Sequence, residues 1–383
     1  LVPAASGGAP GWLLGIYGDG FGVGAPVYYG VLWAAFLAYL CVLAAAPTIG
    51  RRALIAIAVV LVAGFALAPP LLSQDVFSYI AYARLGVLHG LNPYTHAPFD
   101  AAADPSFAHV GWTHSSSSYG PLFTLATYPL AHLSVPAAMW TLKALAAASV
   151  LALALLAARM APARGIDPRR CFAIVALNPL VLVHVVGGAH NDATVTLIAL
   201  AGCAAILALR EGSGGAAVVG AVGLKLSAAF VAPFALLGAF RRRRFLAGAA
   251  SAAIAIAIAS LAAFGGHAVD SAELVGDNQG QVSNYSVPNL LSELIGVGIE
   301  PIRALAAAAL AVLVVLLCRW VLRGGDWIRA TGWAALGLLL ASSWLLPWYL
   351  IWALPFAALS RDNLLLTLLL ALTALELASR VPL

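Results

Sequence analysis

Apolar runs of close to twenty residues recur along the whole chain. They cover residues 27–48, 53–71, 137–158, 171–187, 191–209, 244–265, 302–322 and 328–345, and a shorter pair, 347–360 and 363–380, closes the sequence. A helix needs about 20 residues to cross the hydrocarbon of a bilayer. Membrane strands would instead alternate polar and apolar positions in pieces of about ten residues, and these runs are continuous. The pattern predicts an all-α polytopic membrane protein with about ten to twelve transmembrane helices. Composition agrees: 63% of the residues are hydrophobic, 9% are charged, and the mean hydropathy is +0.97. A soluble domain carries about 25% charged residues and could not cover its core with so few. No internal repeat or low-complexity linker interrupts residues 1–383, so a single integral membrane domain is expected. The start, from Leu1, has neither a Met nor a basic n-region. It is read as lacking a cleavable signal peptide, with native N-terminal residues missing.

The net charge of +5 and the pI of 9.2 suggest nucleic acid only until the charges are located. The arginines cluster in short loops: Arg51 and Arg52, Arg159 to Arg170, Arg210, Arg241 to Arg244, Arg319 to Arg329, and Arg361. These are positive-inside signals. With them all in the cytoplasm, segments 72–120 and 266–301 become long external loops. Residues 121–134 become a re-entrant or surface-lying helix, and 215–240 becomes two half-helices broken near Lys225 and Pro233. Broken helices are tolerated only when buried in protein or lining a cavity. Of the 15 carboxylates, Asp75, Asp100, Asp104, Asp192, Asp270, Glu273, Asp277, Glu293 and Glu300 then fall outside. Chemistry is therefore expected at the outer face. Cys41, Cys171, Cys203 and Cys318 show no CxxC spacing, which suggests neither a disulfide framework nor a zinc site.

Two segments stand out. In QDVFSYIAYARLGVLHGLNPY, residues 74–94, Asp75 stands where an apolar run ends. A helix from there places Asp75, Ser78, Tyr79 and Tyr82 at i, i+3, i+4 and i+7. A carboxylate beside aromatic rings suits a sugar, whose C–H faces lie on rings while its hydroxyls seek acceptors. Arg84 is one of few basic residues on that side. In NPLVLVHVVGGAHND, residues 178–192, Gly187 and Gly188 let the chain turn, and His190, Asn191 and Asp192 open the next helix. One cap residue would suffice there, and a helix N-terminus favours a bound anion such as phosphate. Lys225, in an apolar stretch at a helix break, either snorkels or meets an anion, and Lys143 is read the same way. His96, His109 and His114 match no zinc spacing. SSSSYGPL, residues 115–122, reads as a flexible polar run. The segment 276–296 reads as polar and then amphipathic, able to lie over a site. No P-loop, dinucleotide fingerprint, GxSxG or HExxH motif is found.

QDVFSY, the NPY turn, YGPL and NPL…GGAHND occur in that order, and with them the chain resembles the polyprenol-phosphate-mannose-dependent α-1,6-mannosyltransferases of actinobacteria, within the GT-C superfamily of membrane glycosyltransferases. The resemblance runs from about residue 10 to residue 360 and is most specific at 74–94 and 178–192. It implies a GT-C-like helical bundle with re-entrant half-helices, in a bacterial plasma membrane, with the active site facing outside. It implies a polyprenyl-phosphate sugar donor and a glycan or glycolipid acceptor, with no cofactor and no obligatory metal. It implies that Asp75 is the base of an inverting transfer. His190, Arg84, Lys225 and Arg303 are candidates for the leaving phosphate. Tyr79, Tyr82, Asn191 and Asp192 are candidates for the sugar. A lipid or solute transporter is the alternative expectation, because broken helices and buried ionisable groups suit one as well.

Overall fold

The computed structural model describes residues 11–14, 24–269 and 280–379. Asp270, Glu273 and Asp277 lie outside the described residues, so the second loop, 266–301, is described only in part.

The described elements are helical. Four helices are long and apolar enough to cross a membrane: Ala25–Ala45, Val135–Met160, Arg242–His267 and Ile299–Leu322. Shorter apolar helices include Asp192–Leu207, Leu226–Gly238, Trp327–Ala341 and Asn363–Ala378. The ten to twelve expected apolar segments thus resolve into four full-length helices and a set of shorter or broken ones. The lone polar residues between them act as caps. Ser134 accepts from Ala137 N at the start of Val135–Met160, and Asp167 accepts from Arg169 N and Arg170 N ahead of Pro168–Ala176. Asp326 does the same for Ile328 N and Arg329 N. Each satisfies amides that the first helical turn leaves unpaired.

Burial sorts the long helices. Only 11% of the apolar window of Arg242–His267 and 6% of that of Ile299–Leu322 is buried, against 44% for Val135–Met160. The first two turn Ile254, Ile258, Val312 and Val315 outward, as a lipid-facing surface requires. The third is the central post of the bundle.

Three of the arginine-rich loops, at 159–170, 319–329 and 361, meet one another. Arg164 pairs with Asp326, Arg361 donates to Gly165 O at 2.7 Å, and Arg329 donates to Asp362 at 2.7 Å. Asp75, His190, Asp192 and Lys225 form a separate cluster. Segment 215–240 is the expected broken pair. Glu211–Leu224 stops at Lys225, whose backbone is extended (φ −155°, ψ 122°), and Ala232–Gly238 follows a 3-10 turn, with Pro in its first turn. Segment 121–134 is a short helix, Pro121–Thr127, running into the 3-10 turn Tyr128–His132. Gly120 N donates to Leu224 O at 3.1 Å and so docks this segment on the tip of the broken pair.

Lys143 does not snorkel. Its side chain is fully buried within Val135–Met160 and donates to Gly187 O at 2.8 Å and Pro69 O at 3.4 Å. Leu71 N also donates to Gly187 O, at 3.0 Å. A Cβ on Gly187 would lie 2.2 Å from Val183 O and 2.7 Å from Leu71 Cδ1, so only glycine permits this approach. These bonds tie residues 69–71, just ahead of the segment 74–94 singled out in the sequence, to Gly187 within the other, 178–192.

Candidate active site

Asp75 opens the helix Asp75–Leu88, which lies outside the long spans. Just before it, Leu72 has a φ of +59°, and just before His190, Ala189 has a φ of +58°. Left-handed backbone at a residue with a side chain costs of order 1–3 kcal/mol and persists where the surroundings impose it. Both strained positions flank the residues that converge.

Those residues enclose a cavity of about 1140 Å³. Asp75, Ser78, Tyr82, Lys225 and Arg303 line it, as do Trp112, Trp348, Tyr349 and Trp352. Its apolar lining includes Ala307 and Leu310 of Ile299–Leu322, and Leu338 and Ala341 of Trp327–Ala341.

A second layer of polar groups stands behind the lining. Asp75 Oδ1 accepts from Trp112 Nε1 at 3.3 Å, and Asp75 Oδ2 lies 3.6 Å from His190 Nδ1. The His190 ring stacks on Trp348 at 3.6 Å between centroids, inclined by 14°. Neither nitrogen of that ring has a hydrogen-bond partner among the described residues. Asp192 is fully buried. Its Oδ1 accepts from Lys225 Nζ at 2.7 Å and from Trp352 Nε1 at 2.7 Å. The Lys225 ammonium sits 4.9 Å from the Tyr349 ring centre and 5.5 Å from that of Trp352, within cation–π range. Tyr349 and Trp352 are themselves stacked at 4.3 Å. Burial raises the Asp75 carboxyl above the usual carboxylate range. The Lys225 charge and the Trp112 bond pull it back, and Asp192 adds to the rise. A carboxyl tuned upward and open to a cavity is suited to proton transfer.

The remaining sequence candidates occupy distinct places. Tyr82 reaches the cavity and donates to Ser115 O at 2.8 Å. Tyr79 does not line it. It is buried edge-on against Tyr119 and Phe123 at 4.8 and 5.0 Å. Asn191 is buried behind the cavity lining. Arg303 lines the cavity from another element, donating to Ser343 Oγ at 3.1 Å and Glu300 at 2.6 Å. Arg84 is spent elsewhere: it bonds Asp104 at 2.9 Å and caps Ala131 O at 3.0 Å. His109 packs on Trp12 and Phe77, and His114 packs on Phe99.

The Arg84–Asp104 clamp gives a prediction about the first loop. Burial alone would raise the Asp104 carboxyl. Hydrogen bonds from Arg84, His89 and Ser106 outweigh it and hold the group well below its ordinary value of 3.8. A depressed folded value means the stabilisation is present above 3.8 and is lost as pH falls further, toward the folded value. Hydrogen exchange over residues 89–110, corrected for its intrinsic pH dependence, is expected to speed up at neutral pH in Asp104→Asn. In the unsubstituted protein it should speed up only under strong acid. Unchanged exchange in the variant would show that the clamp does not hold the loop.

Residues 13–241 match the family described as alpha-(1->6)-mannopyranosyltransferase, N-terminal domain. The chain belongs to this family. It is 29% identical over 332 residues to alpha-(1->6)-mannopyranosyltransferase A of Mycobacterium tuberculosis, an alignment covering 78% of this chain and 64% of that protein. It is 27% identical over 177 residues to alpha-(1->6)-mannopyranosyltransferase A of Corynebacterium glutamicum, covering 44% of this chain and 35% of that protein. The chain thus spans less than two thirds of these relatives' length. No solved structure matches it significantly. The family match ends at Arg241, and so contains Asp75, His190, Asp192 and Lys225 but not the aromatic wall Trp348, Tyr349 and Trp352. That wall lies in the apolar stretch around 347–360, outside the segments that stand out in the sequence. Its signal was there: Trp344, Trp348 and Trp352 recur at every fourth position around Pro347, a helical spacing.

Proposed function

We propose that this chain is an inverting glycosyltransferase that moves a mannosyl unit from a polyprenyl-phosphate donor to a glycan or glycolipid acceptor, at the outer face of a bacterial plasma membrane. The observation that carries it is one cavity holding an acid–base carboxyl, a cation within an aromatic wall, and an apolar lining borne by a lipid-facing helix. Family membership and the printed activity of the relatives support the choice of mannose. A sugar lies its C–H faces on rings such as Trp348 and Tyr349. A prenyl chain follows Ala307, Leu310 and Leu338.

In the reaction the acceptor oxygen attacks the anomeric carbon through an oxocarbenium-like transition state. Asp75 takes the hydroxyl proton. The bond to the phosphate oxygen breaks, and its electron pair leaves with the phosphate. That group is already a weak base, so it needs cations more than an acid. Arg303, beside the apolar lining, and Lys225 supply them. Asp192 positions Lys225 and Trp352, and His190 backs Asp75 and Trp348.

The test is transfer by the purified chain from radiolabelled polyprenyl-phosphate mannose to a short α-mannoside. Labelled product is expected, and its absence with intact donor would overturn the reading. The broken helix pair at Lys225 also suits a transporter, so a reconstituted assay of donor movement across vesicles belongs beside it. Movement without product would favour transport.

A further inference from the structure

The sequence of 115–122 reads as a flexible polar run, but in the structure its serines are held in place, and so are residues 113 and 114 before them. Tyr82 Oη donates to Ser115 O at 2.8 Å and Ser116 O at 3.2 Å. Ser117 is fully buried, and its N–H donates to Pro93 O at 2.7 Å. Phe99 N donates to Thr113 O at 2.9 Å, and the Phe99 and His114 rings pack at 4.5 Å. Gly111 lies against the side chain of Gln74, the residue before Asp75.

A loop fixed at four places presents fixed groups. Trp112, Ser115, Ser116 and Ser118 all line the cavity. Trp112 keeps 42% of its surface exposed while its N–H reaches Asp75 Oδ1. The carboxyl is therefore bonded to the hydroxyl-bearing loop. The apolar lining comes from other elements, Ile299–Leu322 and Trp327–Ala341. The group whose proton Asp75 takes must sit against Asp75. The lipid of the other substrate needs the apolar lining.

We propose that residues 111–118 form the seat of the acceptor glycan, with the Trp112 ring under the apolar face of its terminal pyranose and the hydroxyls of Ser115, Ser116 and Ser118 bonded to its hydroxyls. The ligand class is a neutral, polyhydroxylated glycan end, not a nucleotide or an anion. The seat rests on the transfer reading above, since it assigns one of that reaction's two substrates. Trp112 serves in two separable ways: its ring carries the sugar, and its N–H orients Asp75.

Those two roles predict a split. Trp112→Ala is expected to raise the acceptor KM about tenfold, equivalent to ~1.4 kcal/mol and within what an aromatic platform supplies. Donor KM should stay within about twofold, since the donor's lipid and phosphate are held elsewhere. Trp112→Phe keeps a ring and loses the N–H, so acceptor KM should return toward the starting value while kcat falls in both variants. Ser116→Ala with Ser118→Ala should raise acceptor KM alone. Binding of an α-linked mannose disaccharide to the full chain in detergent, followed by saturation-transfer NMR, reads the seat without turnover. The signal should be present in the unsubstituted protein and lost in Trp112→Ala. An acceptor KM that does not move, a donor KM that rises in parallel, or undiminished disaccharide binding in Trp112→Ala would each overturn the seat. Failure of the unsubstituted protein to make product would instead strike the transfer reading, and the binding comparison would still decide the seat.

Discussion

Asp75→Asn should lower turnover for mannosyl transfer by about 10²–10⁴-fold, the usual contribution of a positioned general base. The amide has nearly the same shape and can still accept from Trp112 Nε1, which now bonds the carboxylate at 3.3 Å. The cavity and the substrate KM values should therefore change little, and thermal unfolding in detergent should match the parent. The fall should appear in kcat, because the lost interaction belongs to the transition state. The pH profile adds an independent reading. The carboxyl is raised by burial, so its basic form is depleted at a higher pH than for an ordinary carboxylate. Activity should decline as pH falls through that raised value, and Asp75→Asn should lack this limb. A variant that retains full turnover would remove Asp75 from the chemistry.

The second large effect concerns the fold as much as the reaction. Asp192 is wholly buried, and one of its oxygens serves both Lys225 and Trp352. Asp192→Ala strands the Lys225 ammonium among aromatic rings and leaves the Trp352 N–H without an acceptor. Removing one partner of a buried ion pair costs about 3–5 kcal/mol. The Lys225 side chain keeps 16% exposure, so solvent relieves part of this and the lower end, ~3 kcal/mol, is expected. Chemical unfolding in detergent measures it. Adding Lys225→Met should return most of the lost stability, because the stranded charge is then gone. The double variant should remain inactive in transfer, because a cation of the site has gone with it. A single variant as stable as the parent would mean that Lys225 finds water or another partner freely.

The sequence made the convergence visible without its geometry. Asp75, His190, Asp192 and Lys225 announced themselves as ionisable groups at the ends of apolar runs, where charge is costly. The structure brings all four together. Periodicity served the Asp75 helix less well. Ser78 and Tyr82 reach the cavity but Tyr79 does not, because this helix is buried on nearly every side from Val76 to Ala83 and has no single inward face. Arg84 looked available for a phosphate because its partner Asp104 lies 20 residues away, and a pairing at that range leaves no trace in local pattern. The bond between Trp112 and Asp75 spans 37 residues, and that between Trp352 and Asp192 spans 160. Lys143 read as a side chain that either snorkels or meets an anion, because nothing in its own helix reveals that two backbone carbonyls wait for it.

The broken pair around Lys225 sets how deep the chamber lies. Glu211–Leu224 has 14 residues, which rise about 21 Å. A bilayer's hydrocarbon is about 30 Å thick. On the positive-inside expectation for Arg210 and Arg241, and with the helix upright, the tip that carries Lys225 would stop roughly 9 Å short of the other interface. The cavity floor is then a countersunk well, walled by protein but set below the rim of the leaflet. On the proposed transfer reaction, two substrates of opposite solubility would meet in it, each leaving its own medium to do so. In that proposal the glycan end would descend from bulk water, and the lipid-borne phosphate would sink beneath its neighbouring headgroups. Leaflet thickness thereby becomes a dimension of the reaction chamber.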